Sequence, residues 1–220
     1  MPVFLRADQP DFEARFADLL ALKRESAPDV DAVVAGIVAD IRARGDAALI
    51  ELTARFDRLD LTPDRLAFTE AEVDAACEQV PADQRDALEH AAARIRAYHE
   101  RQKPEDARWT DAAGVALGWR WTPVDAAGLY VPGGLASYPS SLLMNAIPAE
   151  AAGVERIAVC MPTPDGRANP LALLAARLSG ISEIYRIGGA QAIAALAYGT
   201  ETIPAVDKIA GPGNAYVAAA

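Results

Sequence analysis

The sequence predicts an α/β protein in which an N-terminal helical region leads into a parallel sheet with helices on both faces. Two observations carry that prediction. Residues 1–110 hold 38 charged residues but only two glycines, Gly36 and Gly45, whereas residues 111–220 hold 14 charged residues and the other 13 glycines. In the second half, short apolar runs end in glycine-containing turns and are followed by helical patterns. Strand and helix in alternation are the mark of a parallel sheet covered on both sides. The length of 220 residues suits one large domain, or one domain and part of another.

In chain order, Val30, Val33, Val34, Ile37, Val38 and Ile41 recur at helical spacing and form one apolar stripe. Ser26 with Asp29 offers a capping start for this helix, and Gly45 is placed to end it. Ala48, Leu49, Leu52 and Phe56 continue as a second helix. Thr69 and Glu72 form another Ser/Thr-x-x-Glu start, leading to Val73, Ala76 and Cys77. After Pro81 comes a long helix whose Leu88, Ala92, Ile95 and His99 share a face. These helices read as packing elements without chemistry of their own.

Val115, Leu117, Trp119 and Trp121 alternate with smaller or polar residues, the pattern of a half-buried strand. Ala127–Val131 then runs into Pro132-Gly133-Gly134 and a helix from about Ser140. Arg156–Cys160 is a short strand followed by a turn over Pro162–Gly166 and a helix from Asn169 to Ser179. Glu183–Ile187 leads into Gly188-Gly189 and a helix from Ala190 to Tyr198. Asp207–Ala210 leads into Gly211-Pro212-Gly213-Asn214 and the start of another helix.

Composition excludes several functions. The net charge of −10 and a pI near 4.7, with no basic cluster, disfavour a nucleic-acid partner. No run of about 18 apolar residues is present to span a membrane, and the N-terminus lacks the order of a signal peptide. Two widely separated cysteines fit a reducing cytosol, so a cytoplasmic protein is expected.

Ligands of such sheets bind where loops leave the carboxyl ends of the strands. A glycine turn opening a helix lets backbone N–H groups approach an anion. Three such loops point to a nucleotide or another phosphate-bearing ligand; the bland alternative is that they simply permit tight turns. Gly211-Pro212-Gly213-Asn214-Ala215-Tyr216 begins like the dinucleotide fingerprint but has Tyr216 where the third glycine belongs, and no P-loop is present. His90 falls on the polar side of its helix and His99 at its end, a poor spacing for a zinc site. Cys160 reads as core, and Trp109, Trp119 and Trp121 as packing residues. No catalytic triad or carboxylate pair stands out, so no catalytic and no metal-binding residue is assigned.

Gly128-Leu129-Tyr130-Val131-Pro132-Gly133-Gly134, the run Ile187-Gly188-Gly189-Ala190-Gln191-Ala192-Ile193-Ala194-Ala195-Leu196, and Asp207-Lys208-Ile209-Ala210-Gly211-Pro212-Gly213-Asn214 resemble histidinol dehydrogenase. Ala43-Arg44-Gly45-Asp46 and Phe56-Asp57 are similar to that family too. The resemblance implies a zinc-dependent, homodimeric enzyme that oxidises L-histidinol to L-histidine through the aldehyde with NAD. It also implies an aldehyde-dehydrogenase-like arrangement of two α/β domains, the second inserted into the first. By that pattern residues 1–128 would be the helical region and first part of one domain. Residues 129–220 would be an incomplete, Rossmann-like, NAD-binding domain. Tyr130, Gln191 and Asn214 carry over as NAD contacts by motif.

The family's zinc ligands, catalytic bases and substrate-binding serine follow Gly-Pro-Gly-Asn. The 220 residues are therefore expected to be an N-terminal piece that binds NAD weakly, does not turn over, and exposes apolar surface. A related zinc and NAD dehydrogenase of another polar alcohol, such as a sulfonated diol, or a non-catalytic NAD-binding module are the alternatives.

Overall fold

The structure is a computed structural model that describes residues 4–24, 28–133 and 138–220. Ser26 and Gly134, two of the residues named above, lie outside the described residues.

Five helices come first: α1 (Phe12–Arg24), α2 (Pro28–Arg44), α3 (Asp46–Asp57), α4 (Glu70–Glu78) and α5 (Ala82–Glu100). Gly45 ends α2 as expected; its φ of 54° is one that residues with a Cβ rarely adopt. Val34, Ile37 and Ile41 of α2 are buried, but Val33 is 48% exposed and stands off the expected stripe. Phe56 at the end of α3 is likewise exposed, while Ala48, Leu49 and Leu52 are buried. Thr69 and Glu72 form a reciprocal capping box. The Thr69 hydroxyl accepts from the Glu72 amide, and the Glu72 carboxylate accepts from the Thr69 amide at 2.8 Å.

The segment expected to be a half-buried strand is instead an antiparallel hairpin, β1 (Ala107–Thr110) and β2 (Ala116–Trp119). Every residue of the two strands except Ala107 is exposed. Trp109 and Trp119 pack edge to face on each other, with centroids 5.1 Å apart, and Trp121 is exposed as well. Alternation shows which side chains share a face of a hairpin. It does not show whether anything covers that face.

The remaining elements are β3 (Ala126–Tyr130), α6 (Pro139–Ala152), β4 (Arg156–Cys160), α7 (Pro170–Leu178), β5 (Glu183–Tyr185), α8 (Gly189–Tyr198), β6 (Lys208–Ala210) and α9 (Ala215–Ala219). Strands β3 to β6 form one four-stranded sheet, ordered β5-β4-β3-β6 and parallel throughout. The line expected between residues 128 and 129 falls within β3.

Side chains alternate across this sheet and feed two cores. Leu129, Val131, Val159, Met161 and Ile184 point to the face packed by α4, α5, α6 and α7. Tyr130, Ala158, Cys160 and Tyr185 point to the opposite face, packed by α2, α3 and α8. Two-sided burial explains why the strands are almost continuously apolar. Beside β5, residues 66–68 run antiparallel and cover its edge, with the Phe68 amide donating to the Ile184 carbonyl and the Arg186 amide to the Leu66 carbonyl.

The start of α3 is tied to the chain that follows α8. The Asp46 amide donates to the Glu201 carboxylate at 2.8 Å, and the Thr202 hydroxyl donates to the Asp46 carboxylate.

Candidate functional site

The chain leaves β3 toward α6 on one face of the sheet and leaves β6 toward α9 on the other. Neighbouring parallel strands whose connections diverge in this way open a crevice at their carboxyl ends. A cavity of about 950 Å³ lies there. Its walls include Tyr130, Gly189, Gln191 and Asn214, drawn from three separate strand-to-helix loops. The three residues singled out in the sequence thus come together in one place.

Glycines make the loops close. A Cβ at Gly133 or Gly188 would run into Pro162, so these two turns close down on the proline. Gly189 opens α8 with φ of 64°, and its amide donates to the Tyr130 hydroxyl at 3.2 Å. Because that oxygen accepts from the backbone, its own proton remains to be donated elsewhere. Burial pushes the Tyr130 phenol above its usual range, which keeps that proton in place. Asn214 caps α9, its side-chain oxygen accepting from the Val217 amide at 3.1 Å, which directs the side-chain NH₂ to other partners. Gln191, in the first turn of α8, is 2% exposed yet lines the cavity.

Sequence reasoning missed one member. Asp57, the last residue of α3, is 9% exposed and lines the same cavity, and one of its carboxylate oxygens has no hydrogen-bond partner among the described residues. Burial pushes its carboxyl up from the ordinary range, and the neighbouring Arg58 offsets this in part. The available signal was positional: Leu49, Thr53 and Asp57 follow at four-residue intervals, and all three are buried.

This geometry has relatives. The sequence profile of the family described as histidinol dehydrogenase matches residues 21–220. The chain belongs to the histidinol dehydrogenase family. It is 73% identical over 220 residues to a histidinol dehydrogenase of Cereibacter sphaeroides, and 70% identical to one of Ruegeria pomeroyi. All of this chain aligns in both cases, against 51% of each relative, so the chain spans about half the length of the curated relatives it matches. The crystal structure of histidinol dehydrogenase from Elizabethkingia anophelis is similar with a TM-score of 0.84 at 39% identity. It covers 89% of this chain and 45% of that one. Histidinol dehydrogenases are oxidoreductases, and the parallel sheet agrees with the α/β fold of this relative.

Cys160 is fully buried, and burial alone drives its thiol far above the range in which a thiolate forms. His90 is exposed and His99 half-buried. Among the described residues, no group of three or more His, Cys, Asp or Glu could hold a metal ion. The donor set here therefore does not fit the family's zinc, and no step is derived through it. No helix of the described residues is long and apolar enough to cross a membrane.

Proposed function

We propose that this chain supplies the NAD-binding part of a cytoplasmic, homodimeric enzyme that oxidises L-histidinol to L-histidine through L-histidinaldehyde. In this reading residues 129–220 belong to the NAD-binding domain. The observation that carries it is the convergence of Tyr130, Gln191 and Asn214 on one cavity at the switch point of a parallel sheet. Tyr130, Gln191 and Asn214 would hold NAD⁺, which would supply the hydride acceptor twice in turn, once for the alcohol and once for the aldehyde after it has added water, with one proton released each time.

The chain's own residues hold and orient the dinucleotide. The first turn of α8, with Gly189, Ala190 and Gln191, lines the crevice, and the positive end of a helix favours a phosphate. The Tyr130 hydroxyl donates a hydrogen bond, and its ring offers a flat wall to a ribose or base. The Gln191 and Asn214 amides can satisfy donors and acceptors of a nucleotide at once. Pro162 and Pro164 line the cavity beside these polar groups.

Titration of the protein with NAD, followed by calorimetry, tests the reading. Saturable binding is expected, weakened about tenfold by Tyr130→Phe or Asn214→Ala. Binding that is absent, or indifferent to both substitutions, would overturn it. Assay of the intact enzyme with histidinol and with a sulfonated diol then identifies the alcohol.

A further inference from the structure

Asp57 is placed where a carboxylate is costly. It is 9% exposed, and it ends α3, where the negative pole of the helix disfavours an anion. One of its oxygens is buried without a partner. Its adjacent cation is engaged by another acid: Arg58 takes the left-handed conformation with φ of 53°, and its guanidinium is held in a bidentate pair by Asp165 at 2.7 and 2.8 Å. The other carboxylate of the cavity wall, Asp40, is held by Arg44 at 2.7 and 2.8 Å. Asp57 is thus a carboxylate of the cavity wall to whose buried oxygen the described residues supply no hydrogen-bond partner. Burying such a group without a partner costs stability, and native proteins retain that cost where a ligand completes the pairing.

We propose that Asp57 is the ribose-binding residue of this cavity, its carboxylate accepting the hydrogen bonds of a vicinal ribose diol. The inference rests on the nucleotide reading of the cavity. An ionised carboxylate can only accept, and a vicinal diol presents two donors at matching separation. Charge-assisted hydrogen bonds of this kind are among the stronger ones. Two riboses could supply the diol, that of adenosine and that of nicotinamide. If adenosine supplies it, the carboxylate also repels a 2′-phosphate and selects NAD over NADP.

The test compares the protein with its Asp57→Asn variant in binding NAD, adenosine diphosphate and nicotinamide mononucleotide. The variant is expected to lose about tenfold to a hundredfold in NAD affinity. The same loss is expected for one half-molecule only, the one whose ribose Asp57 holds. An unchanged NAD affinity in Asp57→Asn, while Tyr130→Phe still weakens it, overturns this inference and leaves the nucleotide reading standing. Equal losses on both half-molecules also overturn it, since they mark a loosened cavity. No binding of NAD to the unaltered protein removes both readings together. Should Asp57→Asn fail to fold, the 2′-deoxy forms of the two half-molecules are titrated against the unaltered protein. Loss of affinity for one of them supports the assignment, and retention of both overturns it.

Discussion

Two cavities, one toward each face of the sheet, treat a buried charge in opposite ways. The smaller, about 300 Å³, is lined by Arg186, Glu72 and Phe68. Arg186 is 7% exposed, and its guanidinium donates to the carbonyls of Arg65 and Ala67 at 2.9 and 2.6 Å, pairs with Glu72, and sits 3.8 Å from the centre of the Phe68 ring. The larger holds Asp57, buried to a similar degree with one oxygen unpartnered. The first charge fastens the 65–72 segment to the edge of β5 and is completed by the chain. The second is incomplete until something enters. A buried charge whose partners the chain supplies fastens the architecture, whereas an unpartnered one in a cavity wall is open to completion by a ligand.

The sharpest way to break this contrast is Arg186→Ala, which strands the carbonyls of Arg65 and Ala67, removes the cation from the Phe68 ring and leaves Glu72 with its Thr69 partners alone. A loss of about 3–5 kcal/mol in unfolding free energy is expected, read from denaturant midpoints. A loss below about 1 kcal/mol would place Arg186 in the same category as Asp57 and end the distinction. Asn214→Ala is expected to cost about 1 kcal/mol through the lost cap and to weaken NAD as well. Tyr130→Phe, by contrast, should weaken NAD with a smaller change in midpoint.

At the same scale, Asp57→Asn is expected to leave stability unchanged or raise it by about 1 kcal/mol while ligand affinity falls, the trade expected of a binding residue. A destabilisation of about 3 kcal/mol would show the carboxylate to be structural.

The smallest effects are in the pH dependence, and the two acids differ in sign. Glu72 is held at about 2, against an ordinary 4.5, chiefly by its hydrogen bond with Arg186. Its contribution is complete above pH 4.5 and lost as the pH falls toward 2, so Glu72→Gln should flatten the acid limb in that window. Asp57 is raised by burial, so the native state takes its proton more readily than the unfolded chain. Stability from this group is greatest below its ordinary pKa of 3.8 and is lost as the pH rises through the raised native value. Asp57→Asn should remove that component, as measured by melting temperature across mildly acidic pH.

Much of the sheet is legible in the sequence because its signals are local. Apolar runs ending at Gly133, Gly188 and Gly211 mark strand-to-helix turns, and Thr69 with Glu72 marks a helix start on side-chain chemistry alone. Tyr130, Gln191 and Asn214 are singled out in the sequence by the resemblance to histidinol dehydrogenase; their turns alone mark only strand-to-helix junctions. The strand order is not local: nothing in Lys208–Ala210 says that it pairs with β3 rather than with β5, the strand before it. Asp57 is hidden by its company. Residues 1–110 carry 23 acidic side chains, and an aspartate there reads as solvated surface until the fold buries it. The hairpin fails for a third reason, because Trp109, Trp119 and Trp121 alternate correctly around a face that nothing among the described residues covers.

The tie between Asp46 and Glu201 joins residues 155 apart in the chain. Helices α2 and α3 are synthesised early, but the α8 surface that buries Val34, Ile41 and Leu49 comes much later in the chain. At ribosomal rates of about 5–20 residues per second, the apolar side of these helices waits roughly 8–30 s for its partner. During that interval the apolar side of these helices is exposed, the condition in which a nascent chain is prone to aggregate.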